Sequence, residues 1–347
     1  MTQDDSPRPR RPRYKGTHPR HFAEKYKELS PEQHAAEQEK VRARGHTPAG
    51  THRSIMVDEI LAVLDPKPGE VALDATLGYG GHARELLPRL LPGGRLFGVD
   101  VDPLELPRTE ARLRELGFGE DVLTVRRMNF AGLPRLQAES GGFDVVLADL
   151  GVSSMQIDNP ARGFTWKAEG PLDLRLNPQR GRSAAELLAT LDERTLTELL
   201  IENSDEPHAA LIARAVQGQA IRTTRDLAHL VRTALHTAFH EDERDAETKK
   251  ALQRTFQALR IAVNDEFTVL DQFLSLLPGV LHPGGRVAIL TFHSGEDRRV
   301  KKAFQAGLRD GIYAEVAPEP LRASPEERRA NPRSTSAKLR WARLPGS

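Results

Sequence analysis

Val71-Ala-Leu-Asp-Ala-Thr-Leu-Gly-Tyr-Gly-Gly-His82 is the stretch on which the reading of the whole chain turns. A short apolar run, 71–73, stops at Asp74. The chain then passes through a turn carrying Gly78, Gly80 and Gly81 and enters a helix-like segment from Ala83. Strand, glycine turn and helix in that order open an α/β nucleotide-type fold. The glycines do not follow G-x-G-x-x-G, and Asp74 stands where a pyrophosphate would approach the helix start, so like charges would repel. A cation meets no such penalty. S-adenosylmethionine, with its sulfonium and ammonium groups, satisfies this electrostatics.

Outward from this stretch the alternation of strand and helix continues. Apolar residues at helical spacing over 55–64 precede it, and the helix after the glycines is stopped by Pro92-Gly-Gly94. Arg95-Leu-Phe-Gly-Val-Asp100 reads as a second strand ending in a carboxylate. Asp100 follows the loop glycines by about twenty residues, the spacing at which an acid reaches a ribose diol in such folds. A helix over 104–116 leads to a third strand, 122–126, with Asn129-Phe130 at its end; that ring could stack on adenine or fill the core. Phe143-Asp-Val-Val-Leu-Ala-Asp149 is the fourth strand, followed by Leu150-Gly-Val-Ser-Ser-Met-Gln156. Ligands bind at the carboxyl ends of parallel strands, so Asp74, Asp100 and Asp149 are expected to converge on one crevice.

Beyond Gln156 the spacing predicts helices over 183–203, 207–217 and 224–239, with Ser183 and Glu186 forming a capping box. His240-Glu-Asp-Glu-Arg-Asp245 reads as a solvated charged loop, and 255–277 as one long helix. That helix returns to a fifth strand, 284–292, with glycines ahead of it, ending at His293-Ser-Gly-Glu-Asp297. The tail of 331–340 alternates like an added antiparallel strand. The expected organisation is a discontinuous α/β domain, 46–153 and 258–347, interrupted by an all-helical insertion, 154–257.

Composition narrows the class. A chain of 347 residues suits about two domains. The absence of cysteine excludes disulfides, thiolate nucleophiles and cysteine-held metals. No run is long or apolar enough to cross a bilayer, and the first residues are polar rather than signal-like, so a cytoplasmic protein is expected. A net charge of +1 confines any nucleic-acid contact to local basic patches. Residues 1–45, opening with Ser6-Pro-Arg-Pro-Arg-Arg-Pro-Arg-Tyr-Lys15, read as a disordered basic extension, either a bare tail or an arm that touches RNA.

Taken in order, several of these segments resemble one family, the bacterial small-subunit ribosomal RNA (cytosine-N4)-methyltransferases known as RsmH or MraW. They are Asp74-Ala-Thr-Leu-Gly-Tyr-Gly-Gly-His82, Asp149-Leu-Gly-Val-Ser-Ser154, Arg162-Gly-Phe, Gly170-Pro-Leu-Asp-Leu-Arg175, Thr255-Phe-Gln-Ala-Leu-Arg-Ile-Ala-Val-Asn264, Phe292-His-Ser294 with Glu296-Asp-Arg298, and Asn331-Pro-Arg-Ser334. The likeness covers about 46–343 and leaves the basic arm outside. It implies a Rossmann-like, S-adenosylmethionine-dependent methyltransferase sheet with an inserted helical domain, acting on the N4 of a cytidine in the 16S rRNA decoding centre. The cofactor contacts it implies fall on Gly80, Gly81, His82, Asp100, Phe130, Asp149 and Gln156, beside Asp74 and Gly78. The chain departs from the family pattern at Gly295, at Asp205-Glu-Pro-His208 and at Ser54.

Methyl transfer to a cytosine amine needs the nitrogen aligned with the methyl group and an acceptor for the amino hydrogens. Asp149, Ser153, Ser154 and His293 are the candidates, with no single general base singled out and no metal expected. Arg162, Lys167, Arg175, Arg180 and Arg182, together with Arg333, Lys338 and Arg340, are candidate contacts to 16S rRNA in the small subunit. The sequence leaves monomer and homodimer open. Two other readings use the same scaffold: a nicotinamide-dependent dehydrogenase, opposed by Asp74 and the glycine spacing, and a non-catalytic RNA-binding assembly factor, opposed by the three carboxylates. A DNA aminomethyltransferase would need Asp/Asn-Pro-Pro-Tyr/Phe where Asp149-Leu-Gly-Val stands.

Overall fold

The apolar runs of the sequence assemble into one sheet in the order β3-β2-β1-β4-β5-β7-β6, where β1 is Val71–Asp74, β2 Arg95–Asp100, β3 Leu123–Arg127, β4 Phe143–Asp149, β5 Leu281–Thr291, β6 Glu315–Val316 and β7 Lys338–Arg343. The structure, a computed structural model, describes residues 54–236 and 241–346. The strands from β3 to β5 pair in parallel, and β7 adds antiparallel to β5. The chain winds outward from β1 to β3, then returns to place β4 on the other side of β1. That reversal puts a crevice above the carboxyl ends of β1 and β4.

Parallel strands covered on both faces carry near-continuous apolar runs, and successive side chains alternate between the faces. Val146 and Ala148 of β4 join Leu73, Val99, Val287 and Ile289 in one buried cluster. Val145 and Leu147 join Ala72, Leu96, Ala288 and Leu290 in the other. The first face is covered by α4 (Leu133–Ser140), α11 (Glu266–Val280) and α12 (Ser294–Arg309). The second is covered by α1 (Val57–Leu64), α2 (Gly81–Leu90) and α3 (Leu106–Glu115).

Between β4 and β5 the chain is helical: α5 (Ser154–Asp158), α6 (Ala184–Leu188), α7 (Glu193–Ser204), α8 (Ala209–Val216), α9 (Thr224–His236) and α10 (Glu241–Asn264). These helices and the loops before them enclose an apolar cluster of their own, running from Phe164 to Leu259. Each large aliphatic side chain removed from water there contributes roughly 1.5–3 kcal/mol.

Several expectations are corrected. The helix expected over 183–203 is two helices, because Asp192 caps α7 by accepting the Thr195 N–H at 2.7 Å. The charged run is not a loop from Glu241 onward; it forms the first turns of α10. The helix expected over 255–277 breaks at Asp265, which takes φ 53° between α10 and α11. The fifth strand begins earlier, at Leu281, and absorbs Gly284 and Gly285 where its pairing with β4 shifts register. Residues 332–336 form a 3-10 turn, and strand pairing starts only at Lys338. The basic extension and residues 237–240 lie outside the described residues.

Candidate functional site

The three strand-end carboxylates stand along one edge of the sheet. Asp74 pairs in register with Gly98 and Leu147, which places Asp100 and Asp149 two residues further along the neighbouring strands. Asp74 is buried and accepts the Thr76 N–H at 3.2 Å. Burial pushes its carboxyl up to about 7; His82 and the Thr76 amide oppose the rise, and Asp149 and Asp100 add to it. The effect of both neighbouring carboxylates on Asp74 is what their convergence on one edge produces. Asp149 is likewise pushed up to about 7, by burial and then by Glu296. Its Oδ1 is sealed without a hydrogen-bond partner while the side chain as a whole keeps 30% of its exposure. The carboxyl therefore lies in a pit, walled on most sides and open on one. Burial also raises Asp100 above the usual carboxylate range.

The glycine turn is shaped by what it must approach. Gly78 (φ 47°) donates its N–H to Asp100 Oδ2 at 2.8 Å, and its carbonyl accepts the Thr109 hydroxyl at 2.6 Å. Gly80 (φ 80°) begins α2 from a left-handed conformation that a side chain would strain. A Cβ on Gly81 would lie 1.9 Å from Ser54 Oγ. Next to it, His82 donates from Nε2 to the Ile55 carbonyl at 3.0 Å and turns Nδ1 toward Asp149 Oδ2, 3.6 Å away. Thr76 Oγ1 accepts the Asp149 N–H at 2.6 Å and fixes the end of β4.

The segment after β4 is held by a capping box. Ser153 Oγ accepts the Gln156 N–H at 3.2 Å, and Gln156 Oε1 accepts the Ser153 N–H at 2.8 Å. Ser153 thus spends its hydroxyl as a helix cap, while Ser154 starts α5 half-buried. The Gln156 amide donates from Nε2 to Asp102 Oδ2 at 2.8 Å. Asp102 is not among the residues that the sequence reading singles out, although its place two residues beyond Asp100, just before a helix, fits an N-terminal cap. Its Oδ1 accepts the N–H groups of Leu104 and Glu105 at 2.9 and 3.3 Å. Phe130 is half-buried and meets Phe273 edge-on with ring centroids 5.1 Å apart.

His293 caps α12, with Nδ1 accepting the Glu296 N–H at 3.4 Å and Nε2 lying 3.1 Å from Glu296 Oε1 outside hydrogen-bond alignment. Both ring nitrogens face Glu296. Glu296 is buried, which by itself would raise it; His293, Arg260 and the Phe292 amide outweigh that and hold it below its ordinary value. Glu266, His293 and Glu296 bring ligand-type atoms within 4.8 Å of one another. The Arg260 guanidinium already clasps Glu266 with two 2.8 Å contacts, which leaves that carboxylate poorly suited to a cation.

The basic candidates divide sharply. Arg162 is buried and donates to Asp102 Oδ2 at 2.7 Å and to the carbonyls of Arg175 and Leu176, so it is not a phosphate contact. Arg340 is buried against Asp297 at 2.6 Å, and Lys338 holds the same carboxylate at 2.7 Å. The expectations for Arg162, Arg340 and Lys338 are corrected for the same reason: a carboxylate remote in sequence already holds each cation. Arg175 makes a two-pronged pair with Asp173, and Arg333 pairs with Asp158 at 2.9 Å. Lys167, Arg180 and Arg182 are exposed.

The three departures from the family pattern have visible contexts. Ser54 packs on Gly81. Asp205 ends α7 at φ 50° and pairs with Arg298 at 3.1 Å. Gly295 leaves room for the Phe267 ring, which a Cβ would meet at 2.5 Å.

A family model described as the MraW methylase family matches residues 49–344. A protein named "Ribosomal RNA small subunit methyltransferase H 2" from Alkaliphilus metalliredigens is 54% identical over 347 residues, covering 99% of each chain. "Ribosomal RNA small subunit methyltransferase H 1" from Lachnoclostridium phytofermentans is 55% identical over 338 residues, 96% of this chain and 92% of that one. The Halorhodospira halophila "Ribosomal RNA small subunit methyltransferase H" is 43% identical over 316 residues, 85% of this chain and 94% of that one. The family model leaves the basic arm outside, as expected, while the first of these relatives also matches into it. A solved structure titled as a putative methyltransferase from Streptococcus mutans in complex with SAH is 12% identical, covers 83% of this chain and 94% of that one, and has a TM-score of 0.37. At that level the fold rests on the sheet order itself.

Proposed function

The chain belongs to the MraW methylase family, and from that premise we propose that it methylates the N4 amine of a cytidine in the decoding centre of 16S rRNA, with S-adenosylmethionine as donor. The observation that carries this reading is Asp149 Oδ1, a sealed acceptor without a partner at the switch point of the sheet, beside two more carboxylates.

The residues present fit this cofactor. Asp74 and Asp149 supply negative charge for its sulfonium and ammonium groups. Asp100 accepts the Asp102 N–H on Oδ1 at 2.9 Å and the Gly78 N–H on Oδ2 at 2.8 Å, which aims the carboxylate toward the place a ribose diol would take. Phe130 lies beyond β3 where an adenine face would come, and Gly80, Gly81 and His82 form the turn beneath. When bound, the cofactor supplies a methyl group activated by positive sulfur.

Everything else falls to the protein. The cytosine amine is a weak nucleophile because its lone pair is delocalised into the ring, so alignment is the main requirement; effective molarity can supply roughly 7–11 kcal/mol. Asp149 accepts a hydrogen bond from the amine, orients its lone pair toward the methyl carbon, and takes the proton released as the nitrogen–carbon bond forms. In the ligand-free chain burial holds the Asp149 carboxyl up to about 7, and the positive charge of a bound donor favours its ionised form, which can accept the proton at neutral pH. His293 and Ser153, each engaged as the cap of its own helix, take positioning roles in this reading, and Ser154 a role in orienting the base.

The base must be presented unstacked. The helical segment, 154–257, serves as the RNA-holding part, with Lys167, Arg180 and Arg182 toward phosphates, while 46–153 and 258–347 form the methyl-transfer part. No helix among the described residues is long and apolar enough to cross a membrane. Incubation of purified small ribosomal subunits with labelled S-adenosylmethionine, followed by mass spectrometry of the nucleosides, tests the reading. N4-methylated cytidine is the expected product. Methyl on another atom would refute the site chemistry, and binding without transfer would favour a non-catalytic assembly role.

A further inference from the structure

One buried ion pair ties the cofactor side of the crevice to the loops of the helical segment. Asp102 follows the ribose-facing Asp100 by two residues, and its N–H donates to Asp100 Oδ1 at 2.9 Å. Its Oδ2 receives Gln156 Nε2 at 2.8 Å and Arg162 Nη1 at 2.7 Å. Asp102 is 1% exposed and Arg162 6%. A pair so deeply buried is a weak source of stability, because desolvation offsets most of its attraction. Its geometry, however, is directional.

Arg162 reaches onward with its other prong. Nη2 donates to the carbonyls of Leu176 at 2.8 Å and Arg175 at 3.2 Å, and the Arg162 carbonyl accepts the Leu174 N–H at 3.3 Å. Leu174 is buried and held at φ 63°, a left-handed conformation that a bulky side chain disfavours. Asn264, the last residue of α10, completes the clasp. It accepts the Leu176 N–H at 2.7 Å and donates to the carbonyls of Leu174 and Arg260, each at 2.8 Å. The turn over 173–176 keeps its strained shape because Arg162 holds one side and Asn264 the other. A backbone held against its preference depends on the contacts that hold it, so whatever fixes Asp102 bears on the shape of this turn.

We infer that Arg162 is a positioning residue that couples occupation of the methyl-donor site to the shape of the 173–176 turn, so that the donor and the RNA tighten each other. This rests on the function proposed above. Arg162 touches neither ligand. It acts by passing the position of the β2 carboxyl end, through Asp102, to the loop that leads into α6. Coupling between sites is reciprocal, so either ligand reports it.

The test uses the full chain, labelled S-adenosylhomocysteine and purified small ribosomal subunits in equilibrium dialysis. For the wild type, saturating subunits should tighten S-adenosylhomocysteine at least about fivefold, within the usual range for coupled sites. Arg162→Met should bind each ligand alone within a few-fold of wild type and reduce that ratio to near one. Arg162→Lys, which keeps the charge but loses the fork, should recover part of it. Asn264→Ala, which breaks the far end of the clasp without stranding a buried charge, should also lose the coupling and stands in if Arg162→Met does not fold. A wild-type ratio of one overturns the inference, as does full coupling in folded Arg162→Met or in Asn264→Ala. Failure of the wild type to bind S-adenosylhomocysteine at all would instead overturn the proposed function.

Discussion

Asp74→Asn should make the ligand-free protein more stable at pH 8 while weakening its hold on the methyl donor. Asp74 has its carboxyl pushed up to about 7 from 3.8 by burial. A group whose folded value lies above its unfolded value favours the protonated fold. Stability is fully present below pH 3.8, falls as pH rises toward 7, and stays reduced above that. Roughly three units at about 1.36 kcal/mol each set a ceiling of about 4 kcal/mol on the strain of ionised Asp74. Asparagine has nearly the same shape and keeps an acceptor for the Thr76 N–H, but it forgoes the attraction to His82, so a gain of about 1–3 kcal/mol at pH 8 is expected. At pH 4 most of the gain should disappear, since the wild-type group is then protonated in the folded chain and about two-fifths protonated in the unfolded one, a residual linkage of only about 0.5 kcal/mol. Urea unfolding of both proteins at the two pH values measures it. A variant less stable at pH 8, or a gain of equal size at pH 4, would refute the reasoning that buried charge at the β1 end is held there for a cationic ligand.

Asp149→Asn should cut turnover by at least about a hundredfold while changing cofactor affinity much less, and wild-type kcat/KM should rise with pH through about 7 as the carboxyl ionises. A variant with wild-type turnover, or a flat profile, would remove Asp149 from the reaction. Gly81→Ala should cost about 1–3 kcal/mol in denaturant unfolding because its Cβ would lie 1.9 Å from Ser54 Oγ, and Ser54→Ala in the same chain should recover most of that loss. Replacing Lys167, Arg180 and Arg182 together by alanine should lower the salt slope of RNA binding by about two to three, roughly 0.7–0.9 for each phosphate that is no longer neutralised. An unchanged slope would place the RNA elsewhere.

The sheet was highly legible in the sequence. The runs 95–100 and 143–149 were bounded correctly because a fully buried parallel strand is apolar along its length and each of these ends on an acid. The helical segment was less legible. Its breaks at Asp192 and Asp265 depend on side-chain caps and on Asn264 reaching loop residues 88 and 90 positions earlier, which no local periodicity records. The same physics misplaced the cations. Arg162 and Arg340 read as phosphate contacts, yet Asp102 and Asp297, 60 and 43 residues earlier, hold them inside. Charge is visible in a sequence, and its partner across the fold is not. The strand-end carboxylates were legible for the opposite reason: parallel topology alone brings the ends of β1, β2 and β4 to one edge.

The central claim, that carboxylates kept partly protonated by burial receive a cationic methyl donor, is tested most directly by counting protons. Calorimetric titration of S-adenosylmethionine into the protein at pH 6.5, in buffers of different ionisation enthalpy, gives the number released on binding. Meeting positive charge should draw Asp74 and Asp149 down from about 7, so a net release of about one proton is expected, shrinking toward zero at pH 8.5. No release at either pH, or net uptake, would contradict the account.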